Sequence, residues 1–229
     1  KYAVILNLSP DHIERHKTLN QYVKSKFKLL KNQFRGTFAF VKKDDLLINK
    51  ELKSNKFNCQ IIKVDTKQNN GFLKNLDNEY FSTETNKENL LFVLEILKKF
   101  NIKRNLLKKT IQKFEGLKYR QQIIYKRKYL TIINDSKSTS FSSSIGLLKS
   151  NQNIYWLLGG IYKKGDKFKL QKKYFNHIKA FIYGNNKIFF NKKLKGKIKY
   201  ENFGNLKDAL KRIFKIIESK KFIKKTILF

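Results

Sequence analysis

Methionine is absent from these 229 residues, proline and cysteine occur once each, and glycine only ten times. The lone Cys59 excludes an internal disulfide framework and a cysteine-based zinc site. No apolar run approaches the ~20 residues that span a membrane, and no signal-peptide pattern opens the chain. The expected setting is the cytoplasm, with no membrane partner. Acidic residues are also few, 17 Asp and Glu against 52 Lys and Arg, for a net charge of +35. Such a charge ordinarily points to nucleic acid or an anionic surface. Here Lys, Asn, Ile, Phe and Tyr are inflated together, as an AT-rich coding sequence would inflate them. The lysines also run along the whole chain instead of gathering in one tail or stripe. Basic drift is the better explanation, and no nucleic-acid partner is expected. A basic α/β nucleic-acid-binding protein stays as the rival of a different class. With no Met at position 1 and an apolar Thr226-Ile227-Leu228-Phe229 that stops without a turn, both ends are expected to be cut.

Apolar residues are plentiful, at 41% hydrophobic and 14% aromatic, and the length suits two domains. The chain is organised around Asn134-Asp135-Ser136-Lys137-Ser138-Thr139. The run Leu130-Thr131-Ile132-Ile133 before it reads as a buried strand, and Phe141, Ile145 and Leu148 after it read as a helix beginning near Ser138. Polar residues at the carboxyl end of a strand, where a helix opens, mark the ligand edge of an open α/β sheet. Free N–H groups at that opening favour an anion. The same stretch also fits a plain N-capping turn with solvated charges.

In the first half, Tyr2–Leu6 reads as a strand delivering a polar loop, Asn7 to His16, in which His12 is a candidate for a metal or a phosphate, or a structural turn histidine. The next helix has an apolar stripe of Leu19, Tyr22, Val23, Leu29 and Leu30, and Lys26 falls on it. An inward lysine needs a partner or a task, unless it snorkels to the rim. Gly36–Val41 and Cys59–Val64 read as two more strands joined by a polar connection. Asn86 to Asn89 opens a helix with an apolar face of Leu90, Val93, Leu94, Leu97 and Phe100. Asn86 and Asn89, three apart, face the same side, as a cap or towards a ligand. A helix with Leu106, Leu107, Ile111 and Phe114 ends near Gly116, which suits a C-cap and sets the expected domain boundary.

In the second half, strands over Gln122–Tyr125, Leu130–Ile133, Ile154–Leu158, Ala180–Tyr183 and Thr226–Phe229 alternate with helical patterns over Ser138–Leu148, near Leu170–Ile178, and from Leu206 to Ile217. That alternation predicts a mostly parallel sheet covered on both faces. Leu158-Gly159-Gly160 ends a strand where backbone can approach a ligand, and Lys163, Lys164 and Asp166 follow at once.

Taken in order, these segments resemble the Mur ligases. The resemblance rests on Asn7-Leu8-Ser9-Pro10-Asp11-His12-Ile13-Glu14-Arg15-His16, Tyr22 to Lys26, Asn86-Lys87-Glu88-Asn89, Phe114-Glu115-Gly116-Leu117-Lys118-Tyr119-Arg120, Asn134 to Thr139 and Leu158-Gly159-Gly160. The Asp-Ser-Lys-Ser-Thr stretch is similar to that of the branch adding D-glutamate to UDP-N-acetylmuramoyl-L-alanine. The resemblance implies an α/β chain: residues 1–116 as the back part of a P-loop-type central ATP-binding domain, and 117–229 as a truncated Rossmann-like domain. It implies an ATP-driven amide synthesis through an acyl phosphate, in a monomer using magnesium. His12 would be a magnesium ligand, and Lys26 a carbamylated lysine supporting a second magnesium. Asn86 and Asn89 would contact the ATP base and ribose, Arg120 a phosphate, and Asp135 a ribose or linker. Lys137, Thr139 and Lys163 would face the D-glutamate.

Departures accompany the likeness. No G-x-x-x-x-G-K-S/T occurs, the domain expected to hold the UDP-sugar has no counterpart, and neither has the glutamate that would share magnesium with His12. Thr85 and Tyr119 stand where the family often has histidine, and Gln122 where it often has glutamate. This chain is therefore expected to be a fragment that does not turn over alone. A sister ligase, another Mur or a folylpolyglutamate-type enzyme, is the rival within the class.

Overall fold

The computed structural model describes residues 1–9, 13–67, 71–74, 76–163, 166–219 and 222–229. The chain divides into two compact units, Lys1–Phe114 and Glu115–Phe229.

In the first unit the elements run β1 (Tyr2–Ile5), α1 (Ile13–His16), α2 (Leu19–Lys31), β2 (Phe38–Lys42), α3 (Leu46–Ser54), β3 (Gln60–Val64), α4 (Gly71–Lys74), a 3-10 turn (Glu79–Ser82), α5 (Glu84–Leu97) and α6 (Arg104–Gln112). The strands pair in the order β1-β2-β3, all parallel. Alternate residues of β2 serve opposite faces, as the two-residue strand period requires. Ala39 and Val41 pack with Tyr22, Val23, Phe27 and Leu30 of α2, whereas Phe40 packs with Leu91 and Phe92 of α5.

Helix α3 lies where a polar connection was expected. Its only fully buried apolar residue is Ile48, flanked by partly buried Leu47 and Leu52, while Leu46 is 86% exposed, so its apolar face is short. Two parallel strands nevertheless need a crossover. Asp45 supplies the start, its Oδ1 accepting the N–H groups of Leu47 and Ile48 at 2.9 and 3.0 Å. Asp45 Oδ2 also accepts the Leu8 N–H at 3.1 Å, fastening the loop that leaves β1.

The face of α2 is corrected as well. Phe27 and Leu30 are fully buried, Leu29 is 47% exposed, and Lys26 is exposed with its Nζ 5.4 Å from the Tyr22 ring centroid. A stripe running Val23, Phe27, Leu30 leaves Lys26 beside it, not on it. On α5, Val93 is 45% exposed and Leu91 and Phe92 take the buried positions. Helix α6 stops at Gln112, so Gly116, with φ +85°, lies beyond its cap. The Asn78 side chain collects the carbonyls of Ile111, Gln112 and Phe114 at 2.7, 3.2 and 2.9 Å, which satisfies that helix end.

The second unit runs β4 (Gln122–Arg127), β5 (Leu130–Asn134), α7 (Phe141–Ser150), β6 (Ile154–Leu158), a 3-10 turn (Lys172–His177), β7 (Ile178–Tyr183), α8 (Lys187–Leu194), β8 (Lys199–Phe203), α9 (Leu206–Ser219) and β9 (Lys225–Leu228). Its sheet has the order β4-β5-β9-β6-β7-β8, antiparallel only between β4 and β5. Helices α7 and α8 cover one face, through Phe141, Leu147, Phe190 and Leu194 against Ile154, Trp156 and Ala180. Helix α9 covers the other, through Ala209 and Ile213 against Tyr155, Leu157 and Phe181. Strand β6 is apolar on both sides because both sides are covered. This is a Rossmann-like mixed α/β arrangement. Helix α7 starts at Phe141, later than the expected Ser138, and the helix expected near 170–178 is only the short 3-10 turn. Helix α8 and the edge strand β8 were not anticipated. Ile188 on α8 is 83% exposed, and β8 is largely polar, so neither gives a clean period. Among the described residues no helix is long and apolar enough to cross a membrane.

Candidate active site

The carboxyl ends of β5, β6, β7 and β9 open on one edge of the second sheet, and the polar stretch 134–139 lies there. Asp135 is 8% exposed. Its N–H bonds to the Phe229 carbonyl at the end of β9, its own carbonyl accepts the Ser138 N–H at 2.7 Å, and its Oδ1 accepts the Gln121 N–H at 3.0 Å. Tyr119 and Gln121 have φ of +65° and +50°, a region costly for residues with a Cβ. The Asp135 carboxylate and the Lys137 N–H, which donates to the Tyr119 carbonyl at 3.1 Å, hold this turn in place. Burial pushes the Asp135 carboxyl above the usual carboxylate range; the Gln121 N–H, the Ser138 hydroxyl and the Arg120 charge work against that.

Two of the N–H groups at the opening of α7, expected to be free, are taken within the chain. Ser140 caps it, accepting the Ser143 N–H, and the Asp166 carboxylate accepts the Phe141 N–H at 2.7 Å. Ser138 Oγ lies 2.6 Å from Ser143 Oγ and 3.1 Å from Ser144 Oγ.

Two small pockets adjoin at this edge. One, about 70 Å³, is lined by Thr139, Ser140, Lys163 and Asp166 over Phe141 and Trp156. The other, about 140 Å³, is lined by Asp135, Ser136, Tyr183, Leu228 and Phe229. Ser138, Ser144 and Gly159 border both. Volumes this far below the ~300–1,000 Å³ of a drug-sized site admit one small polar group each. Gly159 is required here, since an added Cβ would fall 2.4–2.8 Å from the Tyr183 ring.

Of the residues singled out in the sequence, Thr139 and Lys163 meet at the first pocket, and Asp135 lines the second with exposed Arg120 near it. Lys137 is exposed and lines neither. In the first unit Asn86 is buried, its Nδ2 donating to the Tyr80 carbonyl at 2.7 Å, and Thr83, not Asn86, caps α5. Its amide braces the turn before the helix, and Asn89 is half-buried. His12 lies outside the described residues. Among the described residues no cluster of three His, Cys, Asp or Glu could hold a metal, so the exposed Lys26 and its surroundings do not by themselves fit a magnesium site. Asp166 had no assigned role in the sequence reading; an acid three residues after Lys163 was its only signal.

Residues 1–109 match the Mur ligase middle domain. The chain is 34% identical over 211 residues to the UDP-N-acetylmuramoylalanine–D-glutamate ligase of Francisella tularensis subsp. tularensis (strain SCHU S4), covering 90% of this chain and 48% of that protein. The chain belongs to the Mur ligase family. The same ligase of F. tularensis subsp. novicida (strain U112) is 35% identical over 209 residues, again 90% of this chain and 48% of the relative. This Mur ligase chain thus spans about half the length of the curated relatives it matches. Among solved structures it is similar to MurF from Acinetobacter baumannii, with TM-score 0.72 at 17% identity over 100% of this chain and 56% of that one. It is also similar to the Thermotoga maritima MurF ligase in complex with ADP, with TM-score 0.68 at 12% identity over 100% and 57%. At these identities the structural likeness establishes the fold.

Proposed function

We propose that this chain is part of a ligase that adds D-glutamate to UDP-N-acetylmuramoyl-L-alanine at the expense of ATP, in peptidoglycan precursor synthesis. The observation carrying this reading is the 34% identity to a D-glutamate ligase over 211 residues, long enough to take in both units. In this reading residues 1–116 belong to a central ATP-binding domain and 117–229 to the acceptor-binding Rossmann-like domain. The donor carboxylate takes the γ-phosphoryl group of ATP, releasing ADP. The D-glutamate amine then attacks the acyl phosphate, forming the amide and releasing phosphate. The Lys163 ammonium and the Thr139 hydroxyl, which share a pocket, would hold an acceptor carboxylate, with Lys137 supplying further positive charge nearby. Fixing the acceptor this way sets its amine for attack. Arg120 and Asp135 would face the ATP side, with Asn86 and Asn89 on the base and ribose; for Asn86 this requires its amide to leave the Tyr80 carbonyl. His12 and a carbamylated Lys26 are the assigned magnesium-side residues.

The test is D-glutamate-dependent phosphate release by the full-length enzyme, wild type against Lys137→Ala and Thr139→Ala, with melting temperatures alongside. A cation or donor lost from the acceptor site costs about 2–4 kcal/mol in the barrier, roughly 10²–10³ in rate, at unchanged melting. Rate losses that merely track a lower melting temperature would return the stretch to a capping turn and remove the substrate assignment.

A further inference from the structure

We infer that Asp166 is a positioning residue, which clamps the Lys163 turn to the start of α7 and so sets where the Lys163 ammonium stands against Thr139. This rests on the reading above, in which Lys163 and Thr139 face the acceptor.

Two bonds of one residue carry the inference. The Asp166 backbone N–H donates to the Lys163 carbonyl at 3.2 Å, closing the turn that bears Lys163. The Asp166 carboxylate accepts the Phe141 N–H at 2.7 Å, tying that turn to the first residue of α7. A carboxylate on a helix-opening N–H is a charge-assisted bond in a favourable dipole. The far end of the tie is rigid. Phe141 is 3% exposed, and its ring centroid lies 6.0 Å from Trp156, 5.4 Å from Phe168 and 6.0 Å from Phe190. Phe168 and Leu170, just beyond Asp166, are buried in the same core, so the chain is pinned immediately after the carboxylate. Thr139 stands two residues before Phe141, and Ser140 between them caps the helix. The clamp therefore joins the two segments that supply the first pocket's cation and hydroxyl. The segment before Lys163 has its own anchors, the Asn186 amide on the Gly160 carbonyl at 2.8 Å and the Tyr162 ring stacked on Phe189 at 4.1 Å, and the Asp166 tie adds the link to α7.

The full-length enzyme tests this with Asp166→Ala, Asp166→Asn, Asp166→Glu, Lys163→Ala and the Asp166→Ala/Lys163→Ala pair, reading kcat and KM separately for D-glutamate and ATP beside the melting temperature. Asp166→Ala should lower kcat/KM for D-glutamate about 10–100-fold, as misplacement by an ångström does, while KM for ATP stays within about twofold. Asp166→Asn, whose amide oxygen still accepts the Phe141 N–H, should recover most of the loss. Asp166→Glu keeps the cap but shifts the turn by one methylene, so it should melt near wild type and still raise KM for D-glutamate. In the Lys163→Ala background, Asp166→Ala should cost less than about twofold more, because residues acting through one contact are not additive. Equal losses in both backgrounds, or D-glutamate and ATP parameters falling together in step with melting temperature, would overturn the positioning role while leaving the functional reading intact. A wild-type enzyme with no D-glutamate-dependent turnover would overturn both.

Discussion

At the scale of single residues, Asp135 combines burial with a chain-anchoring bond. Burial holds its carboxyl above the ordinary range, so in the folded state it gains its proton at a higher pH than in the unfolded chain. The folded state then binds more protons than the unfolded one between those two values, and stability falls as pH rises through that window. Above it the cost of burying the charge is constant. Asp135→Asn, which keeps an oxygen for the Gln121 N–H, should therefore melt at or above wild type at pH 7–8. The gap should close as pH drops towards the ordinary carboxylate range, in thermal melts of both proteins across pH. A variant that melts lower by the same margin at every pH would show that the carboxylate itself is the anchor. The position of Asp135 was legible, because a polar residue ending an apolar run marks a strand end. Its burial was not, since the turn at Tyr119–Gln121 that covers it comes from fourteen residues upstream and carries no local signature. Lys163 and Thr139 were legible one by one, whereas the carboxylate joining their segments was not.

Among the elements, α2 shows how a mixed face misleads. Leu29 and Leu30 are adjacent, and only one of two adjacent helical residues can face the sheet. The lysine-rich spacing let Lys26 look inward where Phe27 is. The two substitutions separate cleanly: Phe27→Ala should cost about 3–5 kcal/mol, as removal of a fully buried ring does, and Lys26→Ala should stay within about 0.5 kcal/mol, as for surface sites. Denaturant unfolding of the two variants measures both. A large loss for Lys26→Ala would restore the inward lysine. Strands with strong apolar runs, β1, β2, β5 and β6, were readable because both of their faces are covered or nearly so. Helix α3 was hidden by its short apolar face, in which Ile48 is buried and only Leu47 and Leu52 flank it at the edge of the core. It was implied only by topology, through the parallel β1-β2-β3 order that no local pattern encodes. Strand β8, half exposed at the sheet edge, escaped for the opposite reason: an edge strand needs little apolar residue to stay paired.

For the whole molecule, the charge imbalance bears on stability. A net +35 repels itself, and the described ion pairs, such as Lys42–Glu88 at 2.6 Å and Arg212–Glu201 at 3.0 Å, offset it only locally. Raising salt from about 10 to about 150 mM shortens the screening length from roughly 30 to 8 Å. The melting temperature should rise with it, by about 2–4 °C for each kcal/mol of relieved repulsion in a chain of this size. A fall would mean that local pairs outweigh the long-range field. The order of the larger sheet has a different kind of consequence, one of timing. Strand β9 sits between β5 and β6, yet it is made after every other strand of its sheet. As the chain leaves the ribosome, β4-β5 and β6-β7-β8 can each pair, but both expose an open edge until Lys225–Leu228 arrives. The Asp135 N–H bonds to the Phe229 carbonyl, directly beyond that strand. The edge that carries the candidate site is thus not complete until β9 has been made, and a nascent chain halted anywhere before β9 carries two half-sheets with open edges.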